Sequence, residues 1–184
     1  MDLFLARHGE TISNTKTQLT GGDSDSPLTE RGIEQAKVLG TNLQQYTFDA
    51  VYSSPLKRAI DTVSIAFGKN QKIIIDNRLV EIKLGAMDGM LFDDATAKYP
   101  QSGMLFWTDP ISYIPPPNGE HIDDVIERVD SFLTDLIKLN YKSVFALTHG
   151  FVLRVIYSCL LDKSIESITN SPYYNNCELF HYKL

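Results

Sequence analysis

The chain has 184 residues, 43% of them hydrophobic, with a formal net charge of −6 and no basic run. That length suits one domain with a sizeable buried core, and the acidic balance speaks against a nucleic-acid or anionic-membrane surface. Two cysteines, Cys159 and Cys177, make neither a disulfide framework nor a metal pattern, and no leader or membrane-length apolar run is seen, so a cytoplasmic protein is expected.

From the start of the chain, Leu3–Ala6 reads as a buried strand that runs into Arg7, His8 and Gly9. Gly21, Gly22 and Pro27 punctuate a loop after it. Thr29 is a candidate N-cap for a helix over 30–43, with Gly32 tolerated inside and Ile33, Ala36, Leu39 and Leu43 on one stripe. A second strand is expected over 48–54, a helix opened by Pro55 and running to Phe67, and a third strand over 72–77. Between Gly85 and Gly119 the periodicity breaks down. Pro100, Pro110 and the run 115–117 alternate with Tyr99, Phe106, Trp107 and Tyr113. Residues 85–119 are read as a lid insertion packed by its aromatics, with one short helix near 93–99. Regularity returns at 121–139, where Ile122, Val125, Ile126, Val129, Phe132, Leu133, Leu136 and Ile137 make one amphipathic face. Residues 143–148 read as a buried strand, 151–161 as a helix apolar on most sides, and 177–184 as a last, alternating strand. Strands alternating with helices predict an α/β fold: a three-layer αβα single domain with a mostly parallel central sheet and helices on both faces.

His8 and His149 each follow an apolar strand and precede a glycine. In open α/β sheets ligands bind beyond the carboxyl ends of the strands, so the two imidazoles can meet there. Arg7, Arg58 in the first turn of its helix, and Glu81 soon after the third strand join the same edge. Arginine's planar fork of donors matches phosphate oxygens. Two converging guanidiniums would repel by roughly 4 kcal/mol at about 4 Å and an effective dielectric near 20, unless an anion lies between them. A phosphate dianion suits that place. A neutral imidazole can attack phosphorus, and a carboxylic acid can protonate the departing alkoxide. Two blander readings stand beside this one: Glu81 as a salt-bridge partner of Arg78 or Lys83, and Asn14 as a turn or helix cap.

The segments LARHGET with Asn14, SPLTERGIEQA, SSPLKRAIDT, LVEIKLGAMDG, NGEHIDDVIERV and LTHG together resemble the histidine phosphatase superfamily, in the branch related to cofactor-dependent phosphoglycerate mutase. The likeness runs from the first strand to about Arg154. It implies the phosphoglycerate mutase-like fold, and His8 as a nucleophile that becomes phosphohistidine. It further implies Arg7, Arg58 and His149 around the phosphoryl oxygens, Asn14 as an amide that touches the phosphate, and Glu81 as proton donor. No cofactor and no metal are implied. The partners expected are a small phosphomonoester and inorganic phosphate, with no nucleic acid and no membrane. His121 stands where a serine is common, so no role is carried over to it, nor to Asn176.

A mutase needs cations for a second phosphate, yet between Lys83 and His121 there are two lysines against five acids. Phosphomonoester hydrolysis is therefore expected, with mutase-type transfer and a non-catalytic phosphate-binding relative as alternatives. A metal site of His8, His149 and Glu81 is opposed by the adjacent arginines. No phosphate-loop or dinucleotide fingerprint occurs. The aromatics between 85 and 119 suggest a partly apolar or ring-bearing alcohol rather than a polyanion.

Overall fold

In the computed structural model, which describes residues 1–68 and 70–184, the first apolar run becomes β1 (Asp2–Arg7). Its Leu3, Phe4, Leu5 and Ala6 are all buried, as in a strand covered on both faces. A single turn, α1 (Ile12–Thr15), follows, and then α2 (Glu30–Leu43), capped by Thr29, whose side chain accepts from Gly32 N–H. Strand β2 (Ala50–Ser53), helix α3 (Lys57–Phe67) and the short strand β3 (Ile74–Ile75) come next. The 85–119 segment holds α4 (Phe92–Lys98) and α5 (Leu105–Thr108), with 3-10 turns at Gly85–Met87 and Pro110–Ser112. The long helix α6 (Ile122–Lys138), strand β4 (Ser143–Thr148), helices α7 (Gly150–Leu161) and α8 (Ile165–Thr169), and strand β5 (Leu179–Lys183) complete the order.

The five strands form one sheet in the order β3-β2-β4-β1-β5. All neighbours are parallel except β5, which runs antiparallel to β1 at the edge. Helices α2 and α3 cover one face through Ala36, Leu39, Leu43, Ala59 and Val63. Helices α6 and α7, with the 85–119 segment, cover the other. The three-layer α/β architecture is thus present. The parallel register sets Arg7 opposite Thr148 and Ser53 opposite Leu147. The chain therefore leaves three adjacent strands at one level, which positions the site.

Several expected details differ. The helix expected from Pro55 starts at Lys57, because Asp25 reaches across from another loop and accepts from the N–H groups of Lys57 and Arg58. The third strand has two residues rather than six: the Asp76 side chain accepts from Arg78 N–H and turns the chain into a 3-10 turn. Ile33 is exposed, since the buried stripe of α2 is Gly32, Ala36, Leu39, Gly40 and Leu43. A Cβ on Gly32 would stand 2.1 Å from Glu10 O, so the helix approaches the turn after His8 at a place open only to glycine. Ile137 is exposed as well and lies past the buried edge that ends at Leu136.

Candidate active site

Because Arg7 and Thr148 are paired, the next residues, His8 and His149, emerge side by side, with ring centroids 5.1 Å apart. His8 N–H donates to Thr148 O at 3.0 Å, and His8 Nδ1 lies 2.8 Å from Gly9 O. A carbonyl only accepts, so Nδ1 carries the proton and Nε2 keeps its lone pair. Burial first, then the charges of Arg58 and Arg7, hold the His8 pKa well below the ordinary imidazole value. His149 is fully buried and is depressed in the same way, by burial and then by Arg58. Its Nε2 is 2.6 Å from Ser54 Oγ, while Nδ1 is buried without a partner among the described residues.

A cleft of about 290 Å³ opens over His8. Arg7, Asn14, Arg58 and Glu81 line it with His8; His149 does not, and stands in the wall beside the His8 ring. Leu19, Ile82, Leu84, Phe92, Met104, Phe106 and Trp107 make the apolar side, with Thr11, Gln18, Thr20 and Tyr173 between.

Arg58 is 2% exposed. Its guanidinium donates to Ser24 O at 2.9 Å, Gly21 O at 3.0 Å and Asp25 Oδ1 at 3.1 Å. Asp25 thus offsets part of the charge that Arg58 brings to the cluster. Arg7 is less committed: Nη1 donates to Tyr174 O at 3.2 Å, and Nε is buried without a partner among the described residues.

Glu81 pairs with neither Arg78 nor Lys83, which bond Asp76, Asp135 and Asp23 instead. Its two oxygens accept from Ile82 N–H (3.0 Å) and from Phe151 N–H (3.2 Å) in the first turn of α7. Burial raises its pKa against those two bonds and the pull of Arg58 and Arg7. Asn14 is both cap and cleft wall. Its Oδ1 accepts from Thr11 N–H at 3.1 Å while Thr11 Oγ1 accepts from Asn14 N–H at 3.3 Å, and the residue borders the cleft. His121 begins α6 with no side-chain cap bond.

Three supporting residues escaped the sequence reading: Ser54 meets His149, Thr62 Oγ1 accepts from Gly9 N–H at 3.0 Å, and Asp25 meets Arg58. Asn176, left without a role there, donates from Nδ2 to His8 O at 2.8 Å. Arg154, a lone charge inside an apolar helix, ties Trp107 O to Ser171 and Thr169.

Residues 3–184 match the family model of the histidine phosphatase superfamily (branch 1). Phosphoserine phosphatase 1 of Hydrogenobacter thermophilus is 34% identical over 161 residues, covering 86% of this chain and 75% of that protein. A 2,3-bisphosphoglycerate-dependent phosphoglycerate mutase of Rhizobium etli is 36% identical over 171 residues, covering 88% and 79%. Among solved structures, YhfR of Bacillus stearothermophilus superposes with a TM-score of 0.91 at 31% identity, over 100% of this chain and 91% of that one. The alpha-ribazole phosphatase of Shigella flexneri gives 0.87 at 29%, over 98% and 89%.

Proposed function

The chain belongs to the histidine phosphatase superfamily, and on that footing we propose that it hydrolyses a small phosphomonoester, without a metal, through a phosphohistidine at His8. One observation carries the reading: His8 is held by Gly9 O with Nε2 as the free lone pair, between two arginines and beside a carboxyl whose pKa burial raises. Nε2 attacks phosphorus and the P–O ester bond breaks. Arg7, Arg58 and Asn14 hold the equatorial oxygens as charge builds there, with His149 behind the His8 ring; Arg7 Nε and His149 Nδ1 are without a partner among the described residues. Protonated Glu81 gives its proton to the leaving alkoxide. The Glu81 carboxylate then takes a proton from water, whose oxygen attacks phosphorus. The P–N bond breaks, its electron pair returns to Nε2, and inorganic phosphate leaves.

Phosphatases among the relatives support hydrolysis, and a mutase is also among them. The cleft favours the hydrolase reading, because Arg7 and Arg58 are its only lining cations among the described residues and a bisphosphate would need more. Rapid quench with labelled ester is expected to trap an acid-labile, base-stable protein phosphate, and His8→Ala to abolish both the label and phosphate release. Turnover retained in His8→Ala would end the proposal. Release of phosphate with no bisphosphate requirement separates hydrolase from mutase.

A further inference from the structure

The aromatics of the 85–119 segment are used unequally. Phe106 and Tyr113 are buried in the core, whereas Trp107 is half-buried and faces the cleft. Its carbonyl accepts from Arg154, and its ring lies 4.7 Å from the same guanidinium. Arg154 is 6% exposed and is itself tied to Ser171 Oγ at 2.9 Å and Thr169 O at 3.4 Å. The benzo-ring carbons Cη2 and Cζ3 of the indole lie close to Gly150, the first residue of α7. A methyl at Gly150 would lie 3.1 Å from Trp107 Cη2 and 3.5 Å from the Arg7 guanidinium carbon. The indole is therefore gripped by a buried arginine and ends next to the cation that would hold phosphate. Phe92, Met104, Phe106 and Leu84 extend the apolar wall, and no lysine joins it among the described residues.

Resting on the hydrolase reading above, we propose that Trp107, positioned by Arg154, is the specificity-determining surface for the alcohol half of the substrate, and that the site selects monoesters of uncharged, ring-bearing alcohols over esters with a second anion. A flat ring gains offset contact with the indole. A carboxylate in the same place loses water and finds no cation, because both lining arginines serve the phosphate.

Three alkyl esters test this, 2-phenylethyl phosphate, ethyl phosphate and phosphoserine; the serine alkoxide is the least basic of the three, so leaving-group chemistry alone would favour phosphoserine. The wild-type chain is expected to show kcat/KM for the phenylethyl ester at least about tenfold above phosphoserine. Trp107→Ala should lower the phenylethyl-to-ethyl ratio about tenfold, and Trp107→Phe, which keeps a ring, should retain most of it. Arg154→Met should raise KM for the phenylethyl ester more than for ethyl phosphate; a general loss of structure would move both alike, and the Trp107 ratios then decide. Phosphoserine turned over as well as the phenylethyl ester, or a ratio unmoved in Trp107→Ala, overturns the subsite and leaves the hydrolase standing. Hydrolysis of none of the three, with no phosphohistidine trapped, overturns both.

Discussion

Glu81 and His8 have pKa values displaced in opposite directions by one cause, removal from water. Burial penalises whichever form is charged: the imidazolium of His8 and the carboxylate of Glu81. The proposed reaction starts from the neutral form of each. Activity should therefore persist well below the usual imidazole range and fall as pH rises through the raised Glu81 pKa. Glu81→Gln tests the acid role by leaving-group basicity. Loss of about 10²–10⁴-fold is expected for an alkyl phosphate, whose alkoxide needs a proton, and a much smaller loss for p-nitrophenyl phosphate, whose phenolate leaves unaided. Equal losses for both esters, read as kcat/KM across pH, would remove Glu81 as the donor. His149 is a fully buried ring 2.6 Å from Ser54 Oγ and 5.1 Å, centroid to centroid, from His8.

Helix α3 shows how a loop and a helix are fastened through the site. Asp25 satisfies the first backbone N–H groups of α3 and also pairs with Arg58, while Arg58 reaches back to Ser24 O and Gly21 O. Asp25→Asn removes the only carboxylate bonded to Arg58 among the described residues. It should cost roughly 3 kcal/mol by stranding a buried cation, somewhat less because Asp25 is partly exposed to water. Saturating inorganic phosphate should return part of that loss, since the anion supplies a counter-charge; chemical denaturation with and without phosphate measures it. The same pairing explains where the sequence stopped being informative. Arg7, His8 and His149 could be placed because apolar runs and glycines mark strand ends, and parallel pairing carries them to one level. Nothing in GGDSDS distinguishes Asp25 from Asp23, since the choice depends on how the loop crosses α3. In the α2 stripe Ala36, Leu39 and Leu43 are buried as expected and Ile33 is not, because Gly32 buries backbone rather than a side chain and apolar periodicity does not register that. β3 was overestimated because an edge strand with one neighbour ends as soon as a side chain, here Asp76, offers a turn.

Across the molecule, the buried imidazoles tie stability to pH. Folding depresses the pKa of His8 and of His149, so near pH 6.5 and below the unfolded chain binds protons that the folded one refuses. Stability should fall as pH drops below about 6.5, with no contribution from either ring at higher pH. Melting temperature followed from pH 8 to pH 5 should show that decline, and His8→Gln should make it shallower. A decline as steep in His8→Gln as in the parent would assign it to other groups. The 85–119 segment has a consequence of a different kind. Its two ends are pinched together: Glu120 N–H donates to Lys83 O, Ala86 N–H donates to Pro117 O, and Leu84 bridges Gly119. Glu81, the histidines and both cleft arginines all lie outside that pinch. The intervening stretch could therefore be transplanted as a cassette from another member of the superfamily, and such a chimera is expected to keep the acid-labile label proposed for His8 while its order of preference among esters follows the donor.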